Sequence, residues 1–93
     1  MSSRSRRSRQ PGISWQDQLE EACRDCQISP PEYQLVSDRR GGRTAWSTVI
    51  TVYGRAIQAR YWYDGNNIHT SREDAAEAAM IWLTTSSGLT GSW

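Results

Sequence analysis

The chain has 93 residues, enough for one small domain with a single modest core. Hydrophobic residues make up 37% of it, and no apolar run approaches the ~20 residues that a membrane span requires. The N-terminal arginines are not followed by the apolar segment of a secretory signal, so we expect a soluble intracellular protein, cytoplasmic or nuclear.

Charge is distributed unevenly along the chain. All eleven cations are arginines, and four of them lie within the first ten residues, which contain no acid. The rest of the chain has seven arginines against ten acids, a net charge of −3. Residues 1–12 are rich in Arg and Ser, and we expect them to be disordered. This basic tail carries the compositional signal for nucleic acid, although an arm without a specific partner has the same composition.

The first predicted helix begins at Ser14, with Asp17 as its partner in a capping box. Pro30-Pro31 is predicted to end it. Its apolar residues recur on one face: Trp15, Leu19, Ala22, Cys23 and Cys26. The two cysteines provide too few ligands for a structural zinc site, so we expect reduced thiols and no metal or other cofactor.

Three β-prone segments follow. Glu32 to Asp38 is the first, and Arg39 to Arg43 is predicted to be a loop because it contains two glycines. From Trp46 to Val52, apolar and polar residues alternate as in a strand with one buried face. A tight reversal at Tyr53-Gly54-Arg55 leads to a third strand from Ala56 to Tyr63, whose aromatic end could form an exposed patch for a partner.

A loop from Asp64 to Thr70 precedes the last predicted helix, Ser71 to Leu83. Ser71 and Asp74 have the spacing of a capping box, and Glu73 and Asp74 would favour the positive end of the helix dipole. The residues from Thr84 onward are predicted to fray. The chain is therefore predicted to be an α+β domain at 13–84 with a flexible tail at 85–93. The order α-β-β-β-α predicts a three-stranded antiparallel sheet with two helices packed on one face.

Asp64, His69 and Ser71 are the residue types of a hydrolase triad. They lie within eight residues on one loop, and no nucleophile elbow accompanies them. We therefore predict no catalytic residues and no small-molecule substrate.

This order of elements resembles the double-stranded RNA-binding domain, and three segments between Ile13 and Leu83 support the resemblance. Pro31 to Ser37 resembles the family's entry into its first strand. Trp46 to Gly54 matches its aromatic residue, alternating apolar residues and turn glycine. Ser71, Ala75, Ala78 and Ala79 match the small residues that let its last helix pack closely on the sheet. The resemblance implies recognition of duplex RNA by shape, over about 16 base pairs.

The resemblance also implies three RNA contact regions. The candidate residues are Gln16, Gln18 and Arg24 in the first helix, Arg39, Arg40 and Arg43 in the loop between the first two strands, and Arg72 at the start of the last helix. The family's Gly-Pro-x-His pattern is absent from this loop. Its Lys-Lys-x-Ala-Lys cluster falls on Arg72 to Ala76, where Glu73 and Ala76 replace two of the three lysines. The stretch from Gly54 to Ser71 is several residues longer than in the family, which predicts an extended second hairpin or following loop.

Two functions remain open. The first is weak or degenerate binding of double-stranded RNA through shape and phosphate contacts, which the basic tail favours. The second is a protein–protein interaction or homodimerisation module on the same scaffold, which the acidity of the domain favours.

Overall fold

The computed structural model describes residues 14–86. The predictions for residues 1–13 and 87–93, including the Arg/Ser-rich tail, lie outside the described residues. The elements are α1 (Trp15–Asp25), β1 (Glu32–Arg40), β2 (Arg43–Val52), β3 (Arg55–Gln58), a short 3₁₀ helix (Gly65–Asn67) and α2 (Ile68–Thr85). The predicted α-β-β-β-α order is confirmed. Neither helix of the described residues is long and apolar enough to cross a membrane.

The three strands form one antiparallel sheet in the order β1-β2-β3. β1 and β2 pair without interruption from Glu32↔Thr51 to Arg40↔Arg43. The turn between them is only Gly41-Gly42, and both glycines have positive φ, as a type I′ hairpin turn requires. The prediction of a loop from Arg39 to Arg43 is therefore wrong, because this tight turn lets the two strands pair as far as Arg40 and Arg43.

The third predicted strand is interrupted by a bulge. β3 ends at Gln58, and the Ala59 amide still donates to the Thr48 carbonyl at 2.8 Å. Trp46 then exchanges two backbone hydrogen bonds with Tyr63, of 2.6 and 2.7 Å. Residues 60–62 therefore lie opposite Ser47 alone, and we call them the bulge. The bulge lies within the stretch from Gly54 to Ser71 that is predicted to contain an extended hairpin or loop.

Both helices cover one face of the sheet, and the core lies between the helices and that face. The buried apolar residues are Leu19, Ala22 and Cys23 of α1, Ile50 and Val52 of β2, Ala59, and Ala75, Ala76, Ala79 and Leu83 of α2. The alanines keep the buried side of α2 thin, so its backbone can approach the sheet closely. Cys23 and Cys26 are both free thiols, and burial raises the pKa of Cys23.

The end of α1 is set by its own backbone rather than by the two prolines. Gln27 has a φ of 60°, and the Ile28 amide donates to the Cys23 carbonyl at 3.0 Å. The Gln27 amide donates to the Arg24 carbonyl at 3.1 Å, which completes a Schellman motif. The helix therefore ends at Asp25, before Pro30, and the prediction that the prolines end it is wrong.

Candidate nucleic-acid interface

The last helix begins one turn earlier than predicted. The 3₁₀ helix, whose Asp64 carboxylate accepts from the Asn66 amide at 3.0 Å, runs directly into α2 at Ile68. Ser71 is therefore inside the helix and fully buried, and the predicted Ser71–Asp74 capping box is wrong. Its hydroxyl donates to the Ile68 carbonyl at 2.8 Å and lies 2.7 Å from the Thr48 hydroxyl. Ser71 thus joins the helix to the sheet.

Glu73 caps the other helix. Its carboxylate accepts hydrogen bonds from the backbone amides of Trp15 and Gln16, at 2.7 and 3.2 Å, and from the Gln16 side-chain amide at 2.9 Å. These two backbone amides begin α1 and have no acceptor within it. Ser14 satisfies the next amide, that of Asp17, at 3.0 Å. Burial raises the pKa of Glu73, but these hydrogen bonds outweigh burial and bring it below its ordinary value.

Asp74 holds the bulge in place. Only 7% of Asp74 is exposed, and its carboxylate accepts from Arg60 Nε at 2.8 Å, the Tyr61 amide at 3.1 Å and the Tyr63 hydroxyl at 2.8 Å. Burial raises its pKa, but these bonds outweigh burial, so the pKa lies below its ordinary value. Burial and the bond to Asp74 raise the pKa of Tyr63 to about 12. Arg60 also binds Glu77 at 2.8 Å.

The first three turns of α2 therefore present less negative charge than their sequence suggests. Glu73 is hydrogen-bonded by the amides of α1, and Asp74 and Glu77 share the single positive charge of Arg60. Ala76, where the resembling family has a lysine, is fully buried, so a long cationic side chain has no room there. Arg72 remains exposed.

The candidate residues of α1 lie in different environments. The side-chain amide of Gln16 is held by Glu73, while Gln18 is partly buried. Arg24 is exposed in the last turn of α1, about 12 Å along the helix axis from Gln16 at the usual rise per residue.

The candidate arginines of the first hairpin also differ. Arg39 and Arg43 are exposed at the ends of β1 and β2. Arg40 has partners, because its Nε donates to Asp38 at 3.0 Å and its guanidinium lies 5.0 Å from the centre of the Trp62 ring. The three aromatic residues 61–63 therefore have different surroundings. Trp62 contacts Arg40, Tyr63 binds Asp74, and Tyr61 is 66% exposed.

Two contacts bring three of these segments to one end of the domain. The indole Nε1 of Trp46 lies against Gly65, which joins the start of β2 to the turn before α2. Glu73 joins α2 to the start of α1. Gln16, Arg72 and the first hairpin therefore share this end, whereas Arg24 lies two turns away along α1.

A shallow groove of about 280 Å³ lies beside this end. Its lining residues are Trp15, Arg60, Tyr61, Tyr63, Thr70, Glu73, Asp74 and Glu77. No spacing in the sequence could have identified Arg60 as the partner of two acids, because the bulge that brings it to α2 has no sequence signature of its own.

The three hydrolase-type residues do not form a triad. The Ser71 hydroxyl is buried against Thr48, and Asp64 accepts from Asn66 and from the Asn67 side chain at 3.0 Å. Within residues 14–86, no three His, Cys, Asp or Glu side chains are grouped so as to hold a metal ion.

Comparison with known proteins identifies the fold. No protein-family model and no curated protein matches the sequence. Solved structures do match. Arabidopsis HYL1 is 17% identical with a TM-score of 0.64, over 75% of this chain and 96% of that chain. The first dsRBD of DRB4 is 17% identical with a TM-score of 0.65, over 75% and 94%. The dsRBD of human tRNA-dihydrouridine(20) synthase, in a double-mutant form, is 22% identical with a TM-score of 0.63, over 84% and 80%. Residues 14–86 therefore have the fold of a double-stranded RNA-binding domain.

Proposed function

We propose that this domain is a non-catalytic module that binds double-stranded RNA weakly, by its shape and its phosphates. The fold supports the proposal, since its solved relatives are named as dsRBDs. Arg39, Arg43 and Arg72 would supply the phosphate contacts of the folded part, and Arg40 would add to them while resting on Trp62. The four arginines of the N-terminal tail would add attraction that does not depend on the fold.

One observation carries the proposal. Glu73 and Asp74, the two acids that the sequence predicts to repel phosphate, are hydrogen-bonded to partners inside the domain. The exposed cation beside them, Arg72, lies at the same end as the first hairpin. Repulsion at this end is therefore smaller than the sequence predicts.

Helix α1 would supply the contacts to ribose hydroxyls. The Gln16 side chain gives its amide group to Glu73, so its carbonyl oxygen is the atom we expect to accept from a 2′-hydroxyl. Gln18 would act in the same groove, and a duplex lying along α1 would also reach Arg24.

The proposal is tested by titrating a duplex RNA longer than about 16 base pairs against the full chain and against a chain lacking residues 1–10, over a range of salt concentrations. We expect weak binding by both, with a shallower salt dependence for the shortened chain because it neutralises fewer phosphates. Absence of binding by the full chain at low salt would refute the proposal. Binding that disappears with residues 1–10 would assign RNA affinity to the tail alone.

Matched arginine variants test which end of the domain contacts RNA. Arg72→Gln and Arg43→Gln should each weaken binding several-fold and reduce the slope of log K against log salt by about one. Arg55→Gln removes the same charge from the start of β3, opposite Val52 at the far end of β2, and should leave binding unchanged. Equal losses in all three variants would contradict a defined RNA surface.

A protein-interaction module is the second candidate. The observation that favours it is the groove beside the bulge, where the exposed ring of Tyr61 lies near three acids. Failure of a correctly folded full chain to bind RNA at low salt would make this function the better supported one. A strictly monomeric chain with no recoverable protein partner would count against it.

A further inference from the structure

The outer edge of β1 is unpaired within residues 14–86, because β1 is the first strand of the sheet and only β2 lies beside it. The hydrogen bonds of β2 show which groups lie on this edge. Trp46 and Thr48 direct backbone groups toward Tyr63 and Ala59, so the intervening Ser47 directs its groups toward β1 and Val36. Alternation then leaves the amides and carbonyls of Tyr33, Leu35, Ser37 and Arg39 on the open edge.

Several of the features that usually prevent strand pairing are absent from this edge, and its four charged residues, Glu32, Asp38, Arg39 and Arg40, include both signs. β1 is nine residues long and pairs with β2 in an unbroken register, without a proline, a lysine or a bulge. The helices do not cover its centre, since Leu35 lies on the helix side of the sheet and is still 39% exposed. A further strand could therefore approach the edge.

We propose that two copies of this chain pair through β1, antiparallel and related by a two-fold axis at Val36. Val36 is the midpoint of β1, so this register aligns all nine residues. Tyr33 and Leu35 then face Arg39 and Ser37 of the second copy, and each of these pairs exchanges both backbone hydrogen bonds. The two sheets become one continuous sheet of six strands.

The side chains of β1 are complementary to themselves in this register. Glu32 at the start of one strand meets Arg40 at the end of the other, and the symmetry forms this pair twice. Arg40 has donors left for it, because the bond to Asp38 uses only its Nε. Val36 meets its own copy at the axis, and Arg39 lies opposite the aromatic ring of Tyr33.

The proposed partner is a second copy of this chain, and we expect the association to be weak. One strand pair buries less surface than a stable interface, which needs about 1,200 Å² or more, so we expect a dissociation constant in the micromolar range or weaker. The inference does not rest on RNA binding, although Arg39 and Arg40 of β1 take part in both proposals.

Disulfide trapping tests the register directly. In the full chain carrying Cys26→Ser, which removes the partly exposed native thiol, Val36→Cys places two thiols at the axis, close enough to bond. Gln34→Cys is the matched control on the same face, because its symmetric copy lies about 13 Å away along the strand. Under mild oxidation we expect at least tenfold faster dimer formation for Val36→Cys. Equal rates would overturn the proposed register.

A charge exchange tests the end pairs in solution. Sedimentation of the full chain over concentrations up to about 1 mM should show a monomer–dimer equilibrium. Glu32→Arg or Arg40→Glu should each weaken it roughly tenfold, since each change breaks two symmetric pairs. The double variant should recover most of the loss, and it can do so only across the interface because the two residues lie at opposite ends of one strand. A full chain that stays monomeric, or a double variant that recovers nothing, would overturn the proposal.

Discussion

Glu73 and Asp74 are neighbours in sequence but bind different parts of the domain. Successive residues of an α-helix are turned by about 100°, so one carboxylate reaches α1 while the next reaches the bulge. Both acids stabilise the fold through hydrogen bonds. Glu73 accepts from a backbone amide at the start of α1, and Asp74 accepts from a backbone amide, a hydroxyl and a guanidinium. At the scale of single residues, the acidity of this turn reflects packing rather than an empty phosphate site.

Removing Asp74 should be far more damaging than removing Glu77, although both bind Arg60. Asp74→Ala leaves the Tyr61 amide and the Tyr63 hydroxyl without their acceptor in a partly buried position, so we expect a loss of about 2 kcal/mol in the free energy of unfolding. Glu77→Ala removes a bond at the surface and should lose less than about 1 kcal/mol. Urea denaturation of both variants measures the difference, and equal losses would show that Asp74 does not hold the bulge.

The same substitution at two tyrosines should have opposite effects. The Tyr33 hydroxyl is buried and has no hydrogen-bond partner among the described residues, and burial, with the acids Glu20 and Glu73 nearby, raises its pKa to about 12. Tyr33→Phe removes this unsatisfied group and should stabilise the domain by about 1 kcal/mol. Tyr63→Phe removes a bond to Asp74 and should destabilise it by about the same amount. Thermal unfolding of the two variants compares them, and a destabilised Tyr33→Phe would mean that this hydroxyl has a partner.

At the scale of the elements, both hairpin turns are as tight as a hairpin allows. Each contains two residues with positive φ, and Tyr53 is the only one of the four residues with a side chain. The end of α1 is equally tight, because Gln27 adopts a left-handed conformation that glycine usually occupies. These positions fix where each element ends, and two of them do so at a conformational cost.

Gln27→Gly should therefore stabilise the domain. Relief of the left-handed conformation is worth about 1–2 kcal/mol, and the greater freedom of glycine in the unfolded chain offsets about half of it. The expected gain is about 0.5–1 kcal/mol in the free energy of unfolding. Gln27→Ala is the control, because it removes the polar side chain but keeps the β-carbon, and it should give no gain. If alanine stabilises as much as glycine, the backbone conformation is not the cause.

The elements could be predicted because their signals are local. Alternation from Trp46 to Val52 and the alanine spacing of α2 each arise from one buried face, so the order and the fold followed from the sequence. The start of α2 and the role of Glu73 could not be predicted, because Ser71 with acids two and three residues later equally suits a local cap. Only the contact of α1 with α2 decides whether Glu73 belongs to a cap of its own helix or accepts from the first amides of α1. Which candidate residues contact RNA stays a prediction.

At the scale of the whole molecule, stability should fall as the pH is lowered through about 4. Glu73 and Asp74 have pKa values below their ordinary values of 4.5 and 3.8. The unfolded chain therefore binds protons at a higher pH than the folded one. These two groups contribute stability above their unfolded pKa values, and the contribution is lost as the pH falls through the folded values. Urea midpoints at pH 7, 4 and 3 measure the loss. The double variant Glu73→Gln/Asp74→Asn should show a flatter profile, and an unchanged profile would exclude these two carboxyls as its source.

The bonds from Glu73 to α1 also affect how the domain folds. They join positions 58 and 57 residues apart, so the loop that they close contains the entire sheet. Closing a loop of this size has a large entropic penalty, and the acceptor is in place only after α2 has packed. The start of α1 should consequently form late in folding and, by the reverse of the same path, open before the sheet does. Amide hydrogen exchange at Trp15 should then be faster than in the centre of β2, and Glu73→Gln should speed it further without changing exchange in β2.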